Sequence, residues 1–154
     1  MAKQPKSKKS QFLESIHQAV VIRMLRMIER NGEPITCAGD MNAAKRGPRA
    51  IAEARMTGMT PGEPDVRVYL PNGELLLVEL KTEKGRLSKA QIERHKRLAE
   101  VGLPVLVVKQ AHPLDTALQV GAEVARRLGY DDWKFNTTAA IAASDVLSAV
   151  GKGA

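Results

Sequence analysis

Hydrophobic and polar positions alternate along this chain in blocks that predict an α/β protein. Over residues 11–30, Phe12, Ile16, Ala19, Val20 and Leu25 recur at helical spacing, and Asn31-Gly32 closes the helix. Pro34 to Ala38 predicts a short strand, and the polar, glycine-bearing segment from Gly39 to Gly47 a loop. Pro48 to Met56 reads as a helix with proline near its start, and Thr57 to Pro64 as a connector. Two runs rich in apolar and β-branched residues, Val66 to Leu70 and Leu75 to Leu80, flank Pro71-Asn72-Gly73 and predict a β-hairpin. Ser88 is a good N-cap for a helix to Val101, Gly102 stops it, and Leu103 to Val108 predicts a buried strand. Leu114 to Leu128 and Thr138 to Val150 read as helices, the second rich in alanine and almost uncharged before Asp145. There is no internal repeat and no second domain.

The hairpin carries the chemistry. Asp65 opens its first strand, while Glu79 and Lys81 close the second, two residues apart and so on one face. Taken alone, Asp65 after Pro64 reads equally well as a strand-entry or turn residue. Glu79 interrupts the run Leu75-Leu76-Leu77-Val78-Glu79-Leu80, which has the look of a strand buried on both faces. Buried carboxylates are rare unless paired or bound to a metal, the competing explanation being a solvated strand end. Two carboxylates and a lysine at one end of a hairpin can hold a divalent ion against a phosphate. Mg²⁺ and Mn²⁺ prefer such oxygens, and the lysine can neutralise charge developing at phosphorus or orient the attacking water.

The whole series is more specific than any of its members. Pro64-Asp65 is followed, after thirteen residues, by Glu79-Leu80-Lys81. Gly62-Glu63 leads in, Gly85-Arg86-Leu87-Ser88 and Gln91 follow, and Asn42 with Lys45-Arg46 lies upstream. Over about residues 11 to 110 this pattern resembles the VRR-NUC family of small nucleases within the PD-(D/E)XK superfamily. The resemblance implies a restriction-endonuclease-like α/β core, a mixed four-stranded sheet flanked by helices. A basic tail over 1–10 would precede it, and a C-terminal helical extension over 111–154 would follow. It also implies a Mg²⁺- or Mn²⁺-dependent DNA endonuclease, with the ion on Asp65, Glu79 and the backbone carbonyl of Leu80. Lys81 would be catalytic, Gln91 would position water or Lys81, and an acidic residue of the first helix would complete the site. Glu14 is the candidate, one turn before Gln18 and on the same side. A solvated first-turn residue favoured by the helix dipole is the competing reading.

Stand-alone members of the family resemble phage-type nucleases that act as dimers on four-way junctions. A homodimer acting on duplex or branched DNA in a phage or bacterial cytoplasm is therefore expected. The alternative is a catalytically silent nucleic-acid-binding protein, or a subunit of a larger phage or repair complex, on the same fold. A lysine beside paired carboxylates has no physical use in a pure binder, which favours the nuclease.

Composition adds less. A net charge of +7 favours a polyanionic partner without identifying it. Lys3, Lys6, Lys8 and Lys9 make the first residues either a phosphate-tracking arm or a solubilising tail. Lys45, Arg46, Arg49 and Arg86 adjoin the motif and are the expected nucleic-acid contacts, plain surface charge being the alternative. The scarcity of aromatics argues against a base-stacking platform, and Trp133 reads as a core anchor. Cys37 alone allows no internal disulfide and fits a reducing cytoplasm. No apolar run is long enough for a membrane span. His17, His95 and His112 lack ligand spacing and are expected as surface or capping residues, not zinc ligands.

Overall fold

The computed structural model describes residues 13–40 and 47–130. The basic tail, Lys45, Arg46, Trp133 and the helix expected over 138–150 lie outside the described residues. Among the described residues, four α-helices and four strands follow in the order α1 (Glu14–Arg30), β1 (Thr36–Gly39), α2 (Pro48–Met56), β2 (Val66–Tyr69), β3 (Leu75–Thr82), α3 (Lys89–Glu100), β4 (Val105–Gln110) and α4 (Pro113–Leu128). The sheet order is β1-β2-β3-β4. The first three strands form an antiparallel meander, and β4 pairs parallel to β3. That switch follows from the connections: a tight turn can only reverse the chain, whereas α3 carries it back for a parallel return. This is the mixed, helix-flanked sheet the sequence implies, ending in a C-terminal helix.

The turn between β2 and β3 is built as its residues require. Asn72 and Gly73 both take left-handed backbone conformations, with φ of 61° and 73°, and asparagine and glycine are the residues that do so at least cost. Register then fixes the faces. Val66 lies opposite Val78 and Val68 opposite Leu76, and these residues, with Leu80 and Val108, face the core. α1 packs Val20, Val21, Met24, Leu25 and Ile28 into it, and α4 packs Ala117, Val120, Val124 and Ala125. Because side chains alternate along a strand, Glu79 and Lys81 belong to the other face of β3, the one that receives Gln91 and His95 from α3. Both faces of β3 are therefore covered, which explains its nearly unbroken apolar sequence.

Some expectations shift. The first strand runs Thr36–Gly39 instead of from Pro34, and β4 runs Val105–Gln110 instead of from Leu103. In both, proline precedes the paired segment and offers no N–H for a ladder. His17 is not a surface residue. It is fully buried between α1 and α4, with Nδ1 2.7 Å from Thr116 Oγ1. Burial, and then the neighbouring His112, lowers its pKa and favours the neutral ring. His112 does cap a helix, its Nδ1 accepting from the Leu114 N–H at the start of α4. No described helix is long and apolar enough to cross a membrane.

Candidate active site

Asp65 and Glu79 meet across the β2–β3 pair, one step beyond the Val66–Val78 register. The Leu80 N–H donates to Asp65 Oδ2 at 2.8 Å. In an extended strand the N–H and C=O of one residue point to the same side, so the Leu80 carbonyl shares the Asp65 edge. Glu79 is wholly buried and Lys81 is 6% exposed. Lys81 Nζ lies 3.2 Å from Glu79 Oε1 and 3.3 Å from Glu14 Oε1, so the lysine bridges two carboxylates from different elements. Glu14 reaches it from the first turn of α1 and lies against Gly85, in the turn after β3. Asp65, Glu79, Lys81, the Leu80 backbone and Glu14 are thus brought together.

Gln91 joins them through a different partner from the one expected. Its Nε2 donates to Glu79 Oε1, while its Oε1 accepts from the Ser88 N–H at 2.8 Å. One carboxamide therefore completes the capping box of α3 and fixes the Glu79 carboxylate. Gln91 orients Glu79, not Lys81. His95, expected as a surface or capping residue, is neither: its side chain is 12% exposed and its Nε2 lies 3.5 Å from Glu79 Oε2. The detectable sign was its position one helical turn after Gln91, on the same face of α3. Gln18, likewise one turn after Glu14, donates to the backbone carbonyls of Asp40 and Asp65 at 3.0 and 3.2 Å and ties α1 to the site.

The charges are held under strain. Burial pushes Asp65 up to about 6; the Leu80 hydrogen bond pulls against this and the Glu79 charge adds to it. Burial also raises Glu79, against the pull of Lys81. For Lys81, burial favours the neutral form, but Glu79 and Glu14 outweigh it and keep its pKa above the usual value. Glu79 Oε2 and His95 Nε2 are buried without hydrogen-bond partners. Two desolvated carboxylates, one with an orphaned oxygen, beside a backbone carbonyl form a hard oxygen set that suits a divalent cation. Among the described residues no three Asp, Glu, His or Cys side chains form a closed metal cluster. Mg²⁺ is usually held by one or two carboxylates, with water and substrate completing its shell, so the pair is sufficient.

Of the expected nucleic-acid contacts, Arg86 is exposed in the turn between Gly85 and the Ser88 cap, and Arg49 is exposed on α2. Lys45 and Arg46 lie outside the described residues.

Gly62, in the lead-in to Asp65, has a structural task that its sequence position only hints at. Its φ is +79°, and a Cβ there would sit 2.4 Å from the Ala90 carbonyl oxygen and 2.7 Å from the Gln91 nitrogen. The connector can press against the first turn of α3 only because this residue has no side chain. Gly62→Ala should therefore destabilise the protein by about 1–3 kcal/mol and displace Gln91. Activity should fall about 10–100-fold, since small misplacements of positioning groups are costly. Gly58→Ala is the control: φ is +107° there too, but nothing lies within 4 Å of the added Cβ. Urea titration and a cleavage assay on both variants test this, and equal behaviour would refute the close-approach explanation.

A family model described as the VRR-NUC domain matches residues 14–111. A solved structure titled "VRR_NUC domain" is similar at 23% identity, covering 62% of this chain and 85% of its own, with a TM-score of 0.40. No curated protein matches.

Proposed function

We propose a specific activity from one premise: the chain belongs to the VRR-NUC domain family, a nuclease domain of the PD-(D/E)XK type. On this reading it is a Mg²⁺- or Mn²⁺-dependent endonuclease that hydrolyses phosphodiester bonds in duplex or branched DNA. The observation that carries it is the buried Glu79, fixed beside Asp65 and paired with Lys81. Nothing in ordinary packing calls for a fully buried carboxylate with one free oxygen.

Asp65, Glu79 and the Leu80 carbonyl would hold the ion. When bound, it supplies Lewis-acid polarisation of a phosphoryl oxygen and a lowered pKa for the attacking water. Gln91 holds Glu79 in its rotamer, and the Asp65 carboxylate is fixed by the Leu80 N–H. The Lys81 ammonium stays charged between its two carboxylates and stabilises negative charge developing on the phosphoryl oxygens. Glu14, on α1, pairs with the same Lys81 ammonium that Glu79 holds from β3, and acts as its positioning residue.

A four-way junction or a duplex presents two related strands, whereas one subunit carries a single Asp-Glu-Lys set. A two-fold homodimer is therefore the assembly that would cut both strands. The reading is tested by cleavage of duplex, flap and four-way-junction DNA with Mg²⁺ and with EDTA. Metal-dependent cutting of at least one substrate is expected. Binding without cutting, under every metal condition, would instead indicate the silent nucleic-acid-binding alternative.

A further inference from the structure

Beside the carboxylate site lies a hollow of about 250 Å³, lined by Asp40, Glu63, Arg67, Arg94 and the turn Gly58-Met59-Thr60. Arg67 is two residues after Asp65, on the same side of its strand, and Arg94 follows Gln91 by one helical turn. The hollow therefore adjoins the place where the scissile phosphate would sit. Two ion pairs cross it: Arg67 Nη2 to Asp40 Oδ1 at 3.4 Å and Arg94 Nε to Glu63 Oε2 at 2.7 Å.

Its formal charge is balanced, two guanidiniums against two carboxylates. A phosphate seat has an excess of cations, because attraction to the anion must exceed any repulsion. This hollow has no such excess. Each ion pair also uses only one carboxylate oxygen, and the four side chains are partly exposed, from 18% for Glu63 to 39% for Asp40. Guanidinium donors and carboxylate acceptors therefore lie side by side in one small, solvent-reached space. They suit a neutral, planar group with both acceptors and donors on its edges.

Guanine has that pattern. Its O6 and N7 accept from a guanidinium fork, the commonest specific contact between protein and base. Its N1–H and N2–H₂ can donate together to the two oxygens of a carboxylate. Adenine lacks the paired N–H donors, and the pyrimidines lack the O6/N7 acceptor pair. In a duplex the N1–H and N2–H₂ edge is occupied by cytosine, so only an unpaired guanine can present both edges. The volume is below the range of about 300–1,000 Å³ typical of drug-sized ligands, which fits a single base.

We propose that this hollow is a subsite for an unpaired guanine of the DNA strand held at Asp65 and Glu79. The assignment rests on the nuclease reading but has a test independent of cleavage. Metal-free protein in EDTA is titrated with guanosine 5′-monophosphate, adenosine 5′-monophosphate and inorganic phosphate, followed by amide chemical shifts. The guanine nucleotide should bind about tenfold or more tighter than the adenine nucleotide, the discrimination one good bidentate pair supplies. Glu63→Gln and Arg94→Leu should each remove that difference. With Mg²⁺, a substrate with an unpaired guanine next to the cut should show a kcat/KM about tenfold above its adenine counterpart, and Glu63→Gln should lower it to the adenine value. Equal binding of the two nucleotides, or phosphate binding as well as either, would overturn the subsite. Guanine-selective binding by a protein that cuts no DNA would instead sink the nuclease reading and leave the subsite standing.

Discussion

Asp65→Asn should abolish cleavage and yet raise the melting temperature of the metal-free protein at neutral pH. The asparagine side chain can still accept the Leu80 N–H that now goes to Asp65 Oδ2, so the strand end is kept. What disappears is a charge the fold carries unwillingly. Folded Asp65 titrates at about 6, against an ordinary value of 3.8. Between those values the native state binds more protons than the unfolded one, so stability falls as pH rises through that window and stays at its lower level above it. At about 1.4 kcal/mol per unit, the relief at pH 7 is on the order of 2–3 kcal/mol, or several degrees of melting temperature. Thermal melts at pH 4.5 and pH 7 check the sign: the gain should appear at the higher pH and shrink at the lower. Glu79→Gln should be equally inactive but gain less stability, because Glu79 also pairs with Lys81.

The same shift sets the pH dependence of the working protein. Ligating carboxylates must be deprotonated, so Mn²⁺ affinity and cleavage should both decline as pH falls through about 6. Added metal should stabilise the wild type by mass action and leave Asp65→Asn nearly unmoved. Full activity in either carboxylate variant would sink the site assignment.

What could be read from the sequence follows from which interactions are local. The hairpin, its Asn72-Gly73 turn, the Ser88 cap and the boundaries of α2 rest on neighbours a few residues apart, so periodicity and turn residues reveal them. Glu79 is conspicuous because it breaks an apolar run. The groups beside its two oxygens are not, since Gln91, which donates to Oε1, and His95, 3.5 Å from Oε2, reach it only after α3 crosses back over the sheet. His17 departs from its surface expectation for a related reason. A histidine reads as polar in a helical pattern, yet a threonine 99 residues away satisfies Nδ1 and lets the ring enter the core. Gly62 stands in the lead-in of the motif, but only the position of the α3 backbone explains why a side chain is intolerable there. Long-range contacts of this kind leave no periodic trace in the chain.

Lys81→Ala should have the opposite thermodynamic sign to Asp65→Asn although both lose cleavage. Lys81 pairs with both Glu79 and Glu14, at 3.2 and 3.3 Å, and is almost wholly buried. Removing it leaves Glu79 without its charge partner in a desolvated setting, the situation in which breaking a buried pair costs about 3–5 kcal/mol. The metal-free variant should therefore melt well below the wild type. Part of that loss should return on adding Mn²⁺, because the two ligating carboxylates remain and a divalent ion can neutralise them in the lysine's place. Calorimetry should then find Mn²⁺ bound at least as tightly as in the wild type. Cleavage under single-turnover conditions should still fall by about 10²–10³-fold or more, the typical loss when one group that stabilises transition-state charge is deleted. Lys81→Arg should not restore it, since the planar fork cannot occupy the place of a compact ammonium held between two carboxylates. A Lys81→Ala protein that neither binds Mn²⁺ nor cuts would show that the lysine only builds the site. If it binds and does not cut, the ammonium acts in the chemistry itself.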